Sequence, residues 1–338
     1  MRKYNVIDLF AGAGGLSQGF KQAGFNILMG VDFDDPALKT YKHNLKDSVA
    51  LKADLFDEES AIKDIENNLN GNKIDVIIAG PPCQGFSLTG SRDINDSRNK
   101  LYVAVVHAVK HFKPTAFLIE NVPGMATLYK GKVKEQIINT FEDLGYAVSV
   151  TDKPLLAADY GVPQIRKRMF FVGYRKDLNY EYFKFPEPTL TPDKHIGTAD
   201  AISDLPALVD ELGEENVPYH MEPQSEYQRL MRENSLVIHN HIGTRHTDEV
   251  KWVISQVPEG GNHKDLPPGV GDSRKFNEAW TRYHSQKPSK TIDTGHRNHF
   301  HYKWNRVPTV RENARLQSFP DEQKGKFVYE LPENVVEV

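Results

Sequence analysis

The residue with the clearest chemical capacity is Cys83, the single cysteine of the chain. It stands in Gly80-Pro81-Pro82-Cys83-Gln84-Gly85-Phe86-Ser87, directly behind an apolar run that ends at Ala79. One cysteine allows neither an intrachain disulfide nor a cysteine-based zinc cluster. A lone cysteine is ordinarily a small buried hydrophobe. This one follows a rigid Pro-Pro step and precedes Gly85 and Gly90, a setting that suits an accessible, activated nucleophile better than a packing residue. Glu120, in Glu120-Asn121-Val122, ends another apolar run and is a candidate acid or hydrogen-bond partner for a substrate. Taken alone it reads as a solvated strand-end glutamate.

Two further groups could hold a ligand. In Asp8-Leu9-Phe10-Ala11-Gly12-Ala13-Gly14-Gly15 a strand-like run enters a glycine turn and a helical pattern follows. Glycines there let the backbone approach a ligand, and the helix start favours negative charge. Asp32 closes the next apolar run at a spacing that fits a ribose contact. A dinucleotide-binding dehydrogenase competes for this pattern, but its third glycine would fall at position 17, which is Ser17. In Gln164-Ile165-Arg166-Lys167-Arg168, alternation on an extended segment predicts that Gln164, Arg166 and Arg168 point together. Two arginines on one face suit a base carbonyl or a phosphate. A charged strand edge is the plainer explanation.

The elements that must carry these residues follow from periodicity. Continuous apolar runs predict strands at Tyr4–Phe10, Asn26–Val31, Val49–Ala53, Asp75–Ala79, Ala116–Glu120, Ala147–Pro154 and Met169–Tyr174. Runs without polar alternation are those of strands covered on both faces. Helices are expected at Leu16–Ala23, stopped by Gly24, and from Pro36 behind Asp34 and Asp35. Two more are expected from about Ser97 to His111 and at Thr309–Gln317 behind Pro308. This alternation predicts an α/β fold with a doubly wound, mainly parallel sheet. Gly12, Asp32, Asp54, Cys83 and Glu120 each fall at the carboxyl end of a separate strand, the edge at which such sheets bind ligands.

Residues 178–285 are rich in proline, histidine and charge and lack sustained periodicity. They predict a second, smaller, irregular domain after a first domain at 1–177, with 286–338 returning to the first. The net charge is −4, yet basic residues gather at Arg166–Arg168 and again late. Arg274, Lys275, Arg282, Lys287, Lys290, Arg297, Lys303, Arg306, Arg311 and Arg315 face only Glu278, Asp293 and Glu312 along that stretch. Such a stripe fits a polyanion-binding face, although many stripes of this kind are merely solvated. Histidines at 239, 241 and 246 and at 296, 299 and 301 lack carboxylate partners in sequence, so no metal is expected. Trp252, Trp280 and Trp304 read as core anchors. No apolar stretch is long enough to span a bilayer and no signal-peptide pattern opens the chain, so a cytoplasmic location is expected.

Together the segments DLFAGAGGLSQGF, GPPCQGFS, ENV, QIRKRMFFVG, KPSKTI and RVPTVRENARLQSFPD resemble, in order and over most of the chain, those of bacterial DNA cytosine-5 methyltransferases of restriction-modification type. The resemblance implies an S-adenosylmethionine-dependent methyltransferase fold with a target-recognition domain at 178–285. It implies that Cys83 attacks C6 of a cytosine flipped out of the duplex, with Glu120 at N3 and Arg166 and Arg168 positioning the base and loop. Phe10 against the adenine, Ala11, Gly12, Gly14, Gly15, Leu16, Asp32, Phe33, Asp54, Leu55, Pro82 and Leu101 would hold S-adenosylmethionine, leaving S-adenosylhomocysteine as product. Gln84, Ser87, Arg98, Gln164, Thr291 and Arg297 would meet the DNA. Double-stranded DNA is the implied partner of a monomeric, nucleoid-associated enzyme, alongside a cognate restriction endonuclease.

The chain departs from the pattern after SFPD, where no Gly-Asn motif follows. That departure keeps open a DNA-binding pseudoenzyme and a half-enzyme completed by a second chain. A tRNA cytosine-5 methyltransferase is the remaining alternative. Gly85 and the lack of a second cysteine favour DNA over it.

Overall fold

A computed structural model describes residues 3–82, 101–127, 131–180, 182–209, 211–270, 279–292 and 299–321. They fall into two compact units that interleave along the chain. The first takes residues up to Leu155 and Lys167–Pro186; the second takes Leu156–Arg166 and continues from Glu187. The second unit therefore also gathers the described residues beyond 285. Ile292 and Leu316 pack there in one core with Ala201, Ile202, Tyr227, Met231, Ile238 and Tyr283.

In the first unit β1 (Asn5–Leu9), α1 (Gly15–Gln22), β2 (Asn26–Asp32), α2 (Asp35–Asn44), β3 (Val49–Lys52), α3 (Glu58–Asn68) and β4 (Val76–Ala79) follow in strict alternation. Next come α4 (Leu101–Phe112), β5 (Ala116–Asn121), α5 (Gly124–Thr127), α6 (Lys132–Asp143), β6 (Tyr146–Val150), the two-residue β7 (Leu155–Leu156) and β8 (Lys167–Arg175). The sheet order is β3-β2-β1-β4-β5-β8-β6. The first five strands are parallel to one another. β8 runs antiparallel to both β5 and β6, an orientation that apolar runs do not encode.

The strands form where apolar residues are covered on both faces, as in β1 with Val6, Ile7 and Leu9 fully buried. The helix starts are chemical. The Asp34 carboxylate accepts the Ala37 N–H at 3.0 Å and a proline sits in the first turn of α2. Gly14, with φ at 91°, precedes α1. The run expected at Ala147–Pro154 is a strand only as far as Val150, and β7 begins just beyond it at Leu155.

The second unit is built from short pieces: α7 (Thr198–Ile202), β9 (Asn216–Pro218), α8 (Glu226–Arg232), β10 (Val237–His239), α9 (Asp248–Gln256), β11 (Thr281–Arg282), β12 (His299–Phe300) and α10 (Val310–Leu316). Among the described residues its proline-rich sequence leaves two-stranded ladders, β9 with β10 and β11 with β12. α10 is fixed by a capping box. Thr309 Oγ1 accepts the Glu312 N–H at 3.1 Å, and the Glu312 carboxylate accepts the Thr309 N–H at 2.8 Å.

Charge is placed differently from the expected basic stripe. Arg282, Arg306, Arg311 and Arg315 are buried, and none offers its guanidinium to a polyanion at the surface. Trp252 corrects another expectation: on the short helix α9 it is half exposed, so it does not anchor a core. Trp280 packs at 6.5 Å from the Phe300 ring. No helix among the described residues is long and apolar enough to cross a membrane.

Candidate active site

Five strand ends of the first unit carry the candidate residues. β1 runs into Phe10 at φ 60°, a left-handed geometry uncommon for a phenylalanine. Gly12 follows at φ 52°. Asp32, at the end of β2, takes the Gly12 N–H on Oδ2 at 2.8 Å and the Asp34 N–H on Oδ1 at 3.0 Å. The glycine turn is thus tied to the neighbouring strand through a carboxylate. Asp54, beyond β3, is exposed and accepts the Phe56 N–H at 2.9 Å. Phe33 and Phe56 stand beside these acids in sequence with 71% and 51% of their surface in water. Exposed rings at a ligand edge are stacking surfaces. Ala11, Gly14 and Leu55 are buried, Leu16 is half-buried and Gly15 is exposed.

β4 leads into Gly80, whose N–H donates to Leu9 O at 3.3 Å. A Cβ built on Gly80 would lie 3.7 Å from Glu120 Oε2 and 3.7 Å from Leu16 Cδ1. This position therefore joins the glycine turn, the Pro81-Pro82 step and the strand-end glutamate. Pro81 is buried and Pro82 exposed. Cys83, Gln84, Ser87, Arg98 and Arg297 lie outside the described residues; Leu101 opens α4.

Glu120 is ion-paired through Oε1 with Arg168 Nε, and both side chains are about one-fifth exposed, at 23% and 19%. The antiparallel run of β8 makes this pair. Asn121 stands opposite Met169, so Arg168 is delivered to the carboxyl end of β5. A parallel β8 would carry the same arginine to the other edge.

The alternation expected through Gln164, Arg166 and Arg168 breaks where β8 begins at Lys167. Gln164 forms an isolated bridge with Ser289, is fully buried and directs its amide to Leu316 O at 3.5 Å. Arg166 donates to Ile292 O at 3.3 Å. The structure therefore does not bring these three side chains to one partner. It does bring their segment to KPSKTI within the second unit. The Ile165 N–H donates to Ser289 O at 2.8 Å, and the Thr291 hydroxyl donates to Ile165 O at 2.6 Å.

The histidines are held by other groups. His241 pairs with Thr309 Oγ1 at 2.9 Å and Pro206 O at 2.7 Å. His301 Nδ1 accepts the N–H groups of Lys303 and Trp304. Burial pushes the His301 imidazole down to about 4.

The geometry can be compared with known proteins. The family model of C-5 cytosine-specific DNA methylases matches residues 4–336. The chain belongs to this family. The methylase is 40% identical over 325 residues to the type II methyltransferase M1.HphI of Haemophilus parahaemolyticus, covering 94% of this chain and 77% of that protein. It is 37% identical over 333 residues to M.DdeI of Desulfomicrobium norvegicum, covering 94% and 79%. Among solved structures, one from E. coli described as a prophage-encoded DNA modification methyltransferase superposes with a TM-score of 0.74 at 28% identity, covering 96% of this chain and 90% of that one. The Dnmt2 methyltransferase of S. pombe shares the fold at a TM-score of 0.52 and 17% identity. Methyl transfer to cytosine C5 in DNA is accordingly the activity of this methylase.

Reading the motifs gave Asp8 no role of its own. Asp8 is fully buried in β1, where a carboxylate interrupts an apolar strand. That interruption is the one trace visible in the sequence.

Proposed function

We propose that the methylase transfers a methyl group from S-adenosylmethionine to a cytosine flipped out of a specific duplex site, with Cys83 as nucleophile. The observation that carries this reading is the meeting at Gly80 of Leu16, Glu120 and the step into Cys83. The donor set supports it. Asp32 and Asp54 can accept from ribose hydroxyls or an ammonium, the exposed Phe33 and Phe56 and the strained Phe10 offer faces to a purine, and glycines leave the backbone bare. S-adenosylmethionine supplies an electrophilic methyl group on a sulfonium.

Cytosine C5 is a weak nucleophile. Addition of the Cys83 thiolate to C6 would form an S–C bond and move the ring electron pair onto C5, which would take the methyl carbon as its bond to the sulfonium sulfur breaks and S-adenosylhomocysteine leaves. Glu120 holds a proton at N3 and stabilises the charge that develops there. Arg168 keeps Glu120 oriented. Loss of the C5 proton expels the Cys83 sulfur and restores the ring. A stacked base is inaccessible to this geometry, so the target is extruded and residues 84–100 close over it. Gln84, Ser87, Arg98, Thr291 and Arg297 meet the DNA in this reading, and residues 178–285 read the site. Arg166 keeps its role at the base only if its hold on Ile292 O is released. The reading places the enzyme with bacterial chromosomal DNA in the cytoplasm, where a cognate endonuclease would cut the unmethylated site.

A duplex carrying 5-fluorocytosine tests it. The C5 fluorine cannot leave as a proton, so wild-type protein with S-adenosylmethionine should form a denaturation-resistant adduct and Cys83→Ser should form none. Duplex binding without an adduct in wild type would defeat the reading.

A further inference from the structure

Beneath the glycine turn, a line of buried hydroxyls leads to a carboxyl group that the reaction above does not use. Asp8 Oδ2 accepts the Ser17 backbone N–H at 3.1 Å and the Ser17 hydroxyl at 2.7 Å. Oδ1 has no partner among the described residues. Ser17 Oγ lies 3.2 Å from the Tyr41 hydroxyl, which lies 2.9 Å from Ser48 Oγ. Each hydroxyl has one proton. Because Ser17 donates to Asp8, Tyr41 donates to Ser17 and Ser48 to Tyr41. The Tyr41 ring fits only because Gly30 is bare, since a Cβ there would lie 2.2 Å from it. The line joins β1, the first turn of α1, α2 and the residue before β3 under the segment that carries Gly12 and Gly14.

The surroundings make a charge on Asp8 costly. α1 faces it with Ser17, α2 with Tyr41, β4 with Ile78 and β2 with Gly30. The charged group acting on it is Asp32, the carboxylate that holds the Gly12 N–H. Among the described residues Asp8 forms no ion pair. Burial first, and the Asp32 charge in addition, push the Asp8 carboxyl up to about 7 in spite of the two Ser17 hydrogen bonds. Tyr41 is pushed up to about 12 by burial and stays neutral.

We propose that Asp8 is a positioning residue for the methyl donor, carrying a proton in the donor-free enzyme and releasing it when the cationic donor settles on the glycine turn beside Asp32. The inference rests on the methyl-donor reading of that turn. Burial is the larger penalty on an Asp8 charge, and a positive charge brought to Asp32 offsets the smaller one, the Asp32 repulsion, and adds an attraction of its own. The Oδ1–H bond breaks, its electron pair stays on Asp8 and the proton passes to the buffer. The ionised carboxylate then holds the Ser17 N–H and hydroxyl more tightly, because hydrogen bonds to a charged acceptor are the stronger kind. The start of α1 is firmed at the moment it is needed.

Calorimetry of the full chain at pH 7, in buffers of different ionisation enthalpy, tests this. S-adenosylmethionine should release a measurable fraction of a proton per molecule bound, at most about half, as expected when a group titrates near the working pH. S-adenosylhomocysteine, which lacks the sulfonium charge, should release clearly less. Asp8→Asn, which can still accept from Ser17, should bind the donor without that release. Binding of both ligands with no buffer dependence, or equal release by Asp8→Asn, would overturn the proposal. Failure of both ligands to bind would instead remove the methyl-donor reading, and the proposal with it. A carboxyl-carbon NMR titration of Asp8 in the wild-type chain decides the matter without any variant. A donor-free midpoint near 7 that falls with S-adenosylmethionine supports the proposal; a midpoint of about 4, the ordinary aspartate value, overturns it.

Discussion

The two units use charge in opposite ways. In the second, four arginines, Arg282, Arg306, Arg311 and Arg315, are internal and held by carboxylates or carbonyls. Arg315 is fully buried between Asp204 and Asp321, and its Nε lies 3.0 Å from Asp321 Oδ1. Arg306 makes a two-pronged pair with Glu312 at 2.8 and 2.7 Å. Arg282 donates to the carbonyls of Val257, Ile254 and His301 and closes the end of α9. In the first unit, Asp32, Asp54 and Glu120 stand at strand ends in partial contact with water, holding a backbone N–H or a single arginine. Saturated buried charges fix a fold, whereas partly answered charges at a ligand edge retain capacity for something that arrives later. Sign and spacing in the sequence do not distinguish these two uses.

The contrast can be broken most severely at Arg315. Among the described residues, Arg315→Ala leaves buried Asp204 with only the Arg232 cation and Asp321 with only the Arg311 cation, at 3.3 and 3.2 Å, so a loss of about 3 kcal/mol is expected, read by chemical denaturation. Glu120→Gln should do the reverse. It should lower the turnover number by about 100-fold or more while the melting temperature stays close to wild type, because general acid catalysis is lost at a group that is not part of the core. Equal effects on folding and turnover at either residue would erase the distinction.

Asp32→Asn sharpens the comparison at an intermediate scale. The amide can still take the Gly12 N–H but presents no charge, so S-adenosylmethionine affinity should fall by about tenfold, one charge-assisted hydrogen bond's worth, with little change in melting. Equilibrium dialysis reads this directly.

The smallest expected effect concerns pH, and its sign differs between the units. Burial alone would raise Glu312 and Asp321, but Arg306 and Arg315 respectively more than reverse it and hold both carboxyls well below the ordinary range. Their contribution is present above the unfolded value, about 4, and is lost as pH falls below it. His301, pushed down to about 4 by burial, adds to the loss between about pH 6.5 and 4. His301→Asn should flatten that limb in calorimetric melts. Asp8 runs the other way. Raised to about 7, its contribution is complete below about 4 and is lost as pH climbs through 7. Asp8→Asn should therefore remove a decline in stability between about pH 4 and 7, opposite in sign to the His301 effect over the same interval.

The parallel part of the sheet was legible because covered strands read as unbroken apolar runs, and helix α2 because Asp34 and Pro36 are local signals. The strand-end positions of Asp32, Gly80 and Glu120 followed from that alternation. The orientation of β8 was not legible, since an antiparallel strand and a parallel one have the same composition. For that reason the Glu120–Arg168 pair could be expected as two residues but not as one contact. The buried hydroxyl line was hidden for a related reason. Ser17, Tyr41 and Ser48 are spread over three elements, and only packing around Gly30 brings them together. The interior arginines were misread as a stripe because burial is not written in sign or spacing: Asp204 lies 111 residues from Arg315, but Asp321 and Glu312 lie within ten of the arginines they hold.

The sheet order has a consequence for synthesis. β8 lies between β5 and β6, yet β6 leaves the ribosome first. Until residue 175 has emerged, β6 has no seat in the growing sheet, and its ladder groups must wait in water or find a wrong partner. A translational pause shortly before β8 should thus expose the nascent chain to aggregation, whereas one shortly after it should be harmless.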